Sequence, residues 1–207
     1  MNNCTGQGTK IVFYQDSKFI VYPSVYEPAE DTFLIADNLD ATAGERVLEL
    51  GTGCGILAIL AAKAGANVVA TDVNPVALEC ARANACQNAV DDRIDFRLGD
   101  LFDPVGNERF DVIIFNPPYL PVEPREKLNE PLELAWDGGR DGRRVINHFL
   151  SGLPTHLRPR GRAFFVQSSL SNLAKTFQFL EANGFEFKTL KKRLFFEEIF
   201  LFLCLKR

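Results

Sequence analysis

Apolar residues in this chain fall into short dense runs, separated by stretches where they recur every three or four positions. RVLELG (46–51), NVVATD (67–72), FDVIIF (110–115) and RAFFVQS (162–168) are dense runs and read as buried strands. RIDFRLGD (93–100) alternates apolar with polar residues and predicts a partly exposed strand. Between the strands, CGILAILAAKAG (54–65) predicts a helix closed by Gly65. NPVALECARANACQN (74–88) predicts a helix with proline in its first turn. Gly142–Leu157 reads as a helix, Pro159-Arg160-Gly161 as a turn, and Leu170–Asn183 as a helix stopped by Gly184. Near the start, residues 11–24 predict a hairpin around Gln15-Asp16-Ser17, and Pro28 opens a helix over Ala29–Leu39. Leu120–Arg140 is polar, proline-bearing and expected to be irregular, and residues 185–207 predict two antiparallel strands.

Strands alternating with helices imply a parallel sheet covered on both faces. The expected fold is one α/β domain, with a mostly parallel seven-stranded sheet, an antiparallel C-terminal edge and a short N-terminal hairpin. Ligands of such sheets bind at the carboxyl ends of the strands, near the switch point of the strand order.

Composition narrows the function. A chain of 207 residues, 46% hydrophobic, suits one domain with a sizeable core. No apolar run is long enough to span a bilayer, and MNNCTGQGTK lacks the apolar core of a signal peptide. With 27 acidic against 23 basic residues, a general electrostatic grip on nucleic acid is not expected. The five cysteines include no CxxC pair, and the two histidines, His148 and His156, are not spaced as zinc ligands. A cytoplasmic protein with reduced thiols and no metal site is expected.

The chemistry sits at strand ends. ELGTGCG sets Gly51, Gly53 and Gly55 between a strand and a helix, where exposed amides and close backbone approach suit a ligand. Asp72 ends the next strand, 21 residues after Gly51, and can accept the hydroxyls of a ribose. Asp100 could receive an adenine amino group. GxGxG is not the dinucleotide fingerprint, and Glu49 would repel a pyrophosphate while tolerating a sulfonium and an ammonium. Those charges point to S-adenosylmethionine. In FNPPYLP (115–121), Asn116 and Pro117 each precede a proline and are pushed to extended backbone. The result is a stiff row of acceptors, including the Asn116 side-chain oxygen, matched to the two hydrogens of a planar NH₂ group. Tyr119 can lie flat against that group.

ELGTGCG, Asp72, Asp100 and NPPY together resemble class I S-adenosylmethionine methyltransferases that act on planar amino groups. VYEPAEDTF (25–33), FNPPYLP and AWDGGRDGR (135–143) narrow the resemblance to the archaeal and eukaryotic branch of the HemK/PrmC family. That resemblance implies a Rossmann-like fold and N5-methylation of the GGQ glutamine of a class I translation release factor. It implies that Thr32, Glu49, Gly51, Gly53, Asp72, Asp100, Leu101 and Asn116 bind the cofactor. Asn116, Pro117 and Tyr119 would hold the glutamine amide. Residues 1–40 would be an extension of the single domain, packing on the cofactor site. Glu27, Glu30 and Asp31 read equally well as functional or as a charged first turn favoured by the helix dipole. With 48 residues ahead of Glu49, the helical domain of bacterial members is not expected. The shorter branch commonly works with a small zinc-binding activator subunit of the Trm family, which would cover apolar surface at Ile94 and Phe96. The alternatives are an N6-adenine or other nucleic-acid methyltransferase, with KTLKKR (188–193) as a local basic cluster, and a catalytically silent binding module of the same fold.

Overall fold

A computed structural model of the chain describes residues 8–123 and 131–207. A two-stranded hairpin, β1 (Lys10–Tyr14) and β2 (Ser17–Val21), leads into the short helix α1 (Glu30–Ala36). Then β3 (Arg46–Leu50), α2 (Ile56–Lys63), β4 (Asn67–Asp72), α3 (Pro75–Gln87) and β5 (Ile94–Leu98) alternate. The second half is β6 (Phe110–Phe115), α4 (Arg144–His156), β7 (Leu157–Ser168), α5 (Leu173–Ala182), β8 (Phe185–Arg193) and β9 (Glu198–Lys206). The main sheet has the order β5-β4-β3-β6-β7-β9-β8. Its first five strands are parallel, and β9 runs antiparallel between β7 and β8. The order reverses between β3 and β6, so their carboxyl ends flank the switch point.

Period-2 alternation along each strand sends side chains to two cores. Val47, Ala70, Val112, Ile114 and Val166 face the layer made by α1, α2 and α3. Leu48, Leu50, Ile113, Phe115, Phe165 and Phe202 face α4 and α5, in a core rich in stacked phenyl rings. The α2 helix buries six of its eight residues, so it is apolar nearly all round and shows little amphipathic patterning. Asn74 caps α3 by accepting from the Val76 amide (3.0 Å), with Pro75 in the first turn.

Several sequence expectations shift. The first helix is shorter than Ala29–Leu39, and the others begin or end one to three residues inside their expected limits. The turn expected at Pro159-Arg160-Gly161 is part of β7, a strand of 12 residues that absorbs it as an irregularity. Arg160 takes φ +61°, and the register with β6 slips between Phe110 and Val112. Residues 158–161 have no partner in the β6 register, so the local turn chemistry survives as a bulge between the paired Leu157 and Arg162. Within Leu120–Arg140, residues 124–130 lie outside the described residues, as does Cys4. The described ends of that segment are tied together: Leu120 and Gly138 exchange main-chain bonds with Trp136 and Leu120, at 3.0 and 2.9 Å. The strand expected over 93–100 is shorter, and Ile94 and Phe96 are buried beneath α3, not offered at the sheet edge. Arg82 of α3 donates to the Phe96 carbonyl (2.8 Å) and lies over its ring. No helix among the described residues is long and apolar enough to cross a membrane.

Candidate active site

Three chain turns build the floor of the site. At the end of β3, Gly51, Gly53 and Gly55 all take positive φ, +62°, +56° and +86°. Their tasks differ. A Cβ on Gly55 would meet that of Ala81 at 2.9 Å, so this glycine lets α3 pack against the loop. A Cβ on Gly53 would meet nothing within 4 Å and would project into open space. The Gly53 amide donates to Asp72 Oδ2 and the Asn74 amide to Asp72 Oδ1, both at 2.9 Å, which staples the loop to the end of β4. Beside β5, Leu101 is held at φ +43°, a left-handed conformation that leucine rarely adopts.

A cavity of about 390 Å³ opens at this end of the sheet. That is within the range of small-ligand sites. All eight residues expected at a cofactor line it: Thr32, Glu49, Gly51, Gly53, Asp72, Asp100, Leu101 and Asn116. Ser24, Val25, Tyr26 and Pro28 close one side, so the segment ahead of α1 forms part of the wall. Pro117 and Tyr119 do not line the cavity; Pro118 does. The Tyr119 ring is nearly buried, with its hydroxyl donating to Asp31 (3.0 Å). Burial and the Asp31 charge push that phenol well above its ordinary value.

The lining is acidic. Glu49, Asp72, Asp100 and Asp137 face it, and among the described lining residues Arg144 is the one cation. Arg144 is itself paired with Asp137 at 3.3 Å. Glu49 is 2% exposed; its Oε2 accepts from the Thr52 hydroxyl (2.5 Å) and the Ala58 amide (3.0 Å). Burial pushes its carboxyl up to about 8. Asp72 is also pushed up by burial, against the two amides that it accepts. An anion such as a pyrophosphate would meet carboxyl groups here without a free cation among the described lining residues, whereas a cationic ligand would meet complementary charge and favour ionised Glu49.

Asn116 stands at the end of β6, and its surroundings determine how it is turned. Its Nδ2 donates to Asp31 Oδ2 and to Thr32 Oγ1, both at 3.1 Å. Both amide hydrogens are thereby used. The Asn116 Oδ1 is buried and has no donor. A buried amide oxygen left unsatisfied costs about 1–3 kcal/mol, so it marks a place for an incoming N–H. Asp31 is 4% exposed and gathers further donors: the Thr32 amide (2.7 Å) and the hydroxyls of Tyr26 and Tyr119 (3.1 and 3.0 Å). The three acids read alike in the sequence therefore separate. Glu27 and Glu30 pair on the surface with Lys10 and Lys192, and Asp31 is interior.

Sequence reasoning left the role of Asp31 open and passed over Tyr26. Tyr26 and Asp31 lie in VYEPAEDTF and bond to each other, but the other partners of Asp31, Asn116 and Tyr119, are in another part of the chain. The GGRDGR stretch proves to be a clamp. A Cβ on Gly142 would stand 2.4 Å from the Tyr119 carbonyl oxygen. The buried Arg143 guanidinium donates to the carbonyls of Ser171 and Asn172 (both 2.8 Å) and to Thr176 Oγ1 (3.0 Å). It holds the start of α4 against the start of α5. Only the closely spaced glycines signalled this in the sequence.

Known proteins are similar to this chain. The family model of the methyltransferase small domain matches residues 24–130. A Methanocaldococcus jannaschii protein, provisionally named a protein N5-glutamine methyltransferase, is 40% identical over 191 residues, covering 91% of this chain and 95% of its own. The human methyltransferase HEMK2 is 37% identical over 183 residues, covering 83% and 85%. Among solved structures, the E. cuniculi Mtq2–Trm112 complex, responsible for methylation of the eRF1 translation termination factor, superposes with a TM-score of 0.70. That match has 26% identity and covers 89% of this chain and 99% of the matched one.

Proposed function

Because the chain belongs to the HemK/PrmC-type family of methyltransferases, we propose that it transfers a methyl group to the side-chain nitrogen of the GGQ glutamine of a class I translation release factor. The observation that carries this reading is the buried, donorless Oδ1 of Asn116, a residue of the acidic cavity's lining. S-adenosylmethionine, when bound, supplies an activated methyl on a sulfonium centre. The acidic lining fits such a cation. Asp72 would take the ribose hydroxyls, Asp100 the adenine amino group, and Gly53 leaves room for close approach. Glu49 would stand nearest in role to the ammonium; Thr32, whose amide and hydroxyl both donate to Asp31, would serve as wall and not as a donor to the carboxylate. Residues 24–32 would act as the extension that closes the cofactor site.

Asn116 Oδ1 would accept one N–H of the substrate amide, and the Pro117 carbonyl, which lies beside the cavity lining and not in it, the other. An amide nitrogen is a poor nucleophile because its lone pair is delocalised. Two fixed acceptors hold it in line, and they stabilise the positive charge that it gains as the new bond forms. The nitrogen then gives up a proton to water. Tyr119 would support this pair from behind through Asp31 instead of stacking on the substrate.

The known E. cuniculi complex supports a small activator subunit of the Trm type as partner, and the free edge β5 supports its place. Leu98, 59% exposed at the end of that edge, is the apolar group available there. A cytoplasmic site of action follows from a substrate in translation termination. The test is transfer of labelled methyl to recombinant release factor, to its GGQ-to-GGA variant, and to DNA and RNA, with and without the activator. Label on the release factor that disappears in the GGA variant is the expected result. Label on nucleic acid alone would sink the proposal.

A further inference from the structure

Taking a planar NH₂ group as the substrate, as proposed above, we infer that Asp31 is the positioning residue that sets the polarity of the acceptor site and so selects an amide over a carboxylate. Every bond to its carboxylate in this cluster has the partner as donor: Tyr26 Oη, the Thr32 amide and hydroxyl, Asn116 Nδ2 and Tyr119 Oη. An ionised carboxylate offers no hydrogen. The Asn116 amide must therefore present its NH₂ side to Asp31, which leaves its buried oxygen as the unused acceptor. The opposite rotamer would set two acceptors against each other and turn two donors towards the substrate. Thr32 Oγ1 reinforces the choice, since it gives its hydrogen to Asp31 and accepts from Asn116. Asp31 also polarises the Asn116 amide, which strengthens Oδ1 as an acceptor for a nitrogen that is becoming positive. It touches no substrate atom and acts only through Asn116.

The geometry makes an unusual mutational prediction. In Asp31→Asn, the Thr32 amide, 2.7 Å from Oδ1, still requires an acceptor there. The new NH₂ must then occupy the Oδ2 place and face Asn116. Asn116 turns over and shows donors to the cavity. Turnover should fall by about 100-fold or more, with S-adenosylhomocysteine affinity, read by calorimetry, within about threefold of wild type. A GGQ peptide should bind wild type better than its GGE counterpart by about tenfold or more, because a carboxylate there meets only acceptors. In Asp31→Asn that preference should vanish or reverse, which loss of packing alone would not produce. The exchange variant Asp31→Asn with Asn116→Asp restores a donor facing an acceptor and leaves an oxygen towards the cavity. It should recover about tenfold over Asp31→Asn. A folded Asp31→Asn that keeps the wild-type preference, or a folded exchange variant that recovers nothing, overturns the role of Asp31 alone. If Asp31→Asn does not fold, the exchange variant, which keeps one carboxylate and one amide in the pair, decides by its preference for the GGQ over the GGE peptide, and a folded exchange variant without that preference overturns the role. Wild type without any preference for glutamine removes both this role and the glutamine reading.

Discussion

Asn116 is satisfied on its nitrogen side and unsatisfied on its oxygen. Replacing it with alanine should cost about 100-fold to 1,000-fold in turnover while a folded protein still binds cofactor, checked by circular dichroism and calorimetry beside the methyl-transfer assay. Near-normal turnover would show that the acceptor lies elsewhere. Glu49 gives a prediction in pH. Its folded carboxyl is raised to about 8 from 4.5, so the folded protein holds a proton that the unfolded chain releases. Stability from this group is complete below about pH 4.5 and declines as pH rises towards 8. Thermal scans of the free protein should show that decline, and Glu49→Gln should flatten it. A cationic ligand prefers the ionised form, so binding expels the proton and affinity should rise with pH until about 8. Calorimetry in buffers of different ionisation enthalpy reads the released proton directly; no proton release at pH 7 would contradict this.

At the scale of elements, the glycines of two loops separate binding from architecture. Gly53→Ala places a methyl where nothing lies within 4 Å, at a cost of about 1 kcal/mol for its positive φ. It should weaken cofactor binding with little loss of melting temperature. Gly142→Ala drives a methyl onto the Tyr119 carbonyl and should lower both stability, by about 1–3 kcal/mol or more, and turnover. Equal effects of the two changes on stability would argue against this division. The parallel sheet was legible in the sequence because β3, β4 and β6 are dense apolar runs with few polar interruptions, and Gly65 and Gly184 mark helix ends at φ +91° and +72°. The turn read at Pro159-Arg160-Gly161 is present as an unpaired bulge with Arg160 at φ +61°, but it does not end the strand, because pairing with β6 resumes at Arg162. Most of the cavity lining was legible for a similar reason in reverse: Glu49, Asp72 and Asn116 each belong to a strand end that the pattern locates. Asp31 was not, since its significance lies in a partner 85 residues away. Ile94 and Phe96 alternate as an open edge would, yet α3 covers them, and no periodicity reports which face a neighbouring helix takes.

For the whole molecule, the cavity draws its walls from nearly every segment between Ser24 and Val145. A ligand there should bind only the folded chain. At 100 times its dissociation constant, S-adenosylhomocysteine should contribute about 2.7 kcal/mol, or roughly 5–10 °C in melting temperature for a chain of this size. An unchanged melting curve would mean that the cavity does not take this cofactor. The hydrogen bond between Asp31 and Asn116 has a consequence in time as well as in space. It joins the first helix to the end of the fourth sheet strand, and Gly142 and Arg143 brace the same region against residues 171–176. During synthesis, at about 5–20 residues per second, the acceptor cannot be in place until roughly the last strands are emerging from the ribosome. Catalytic competence is therefore a late event in the life of the chain, and regained activity would report completed folding more faithfully than recovered helix content.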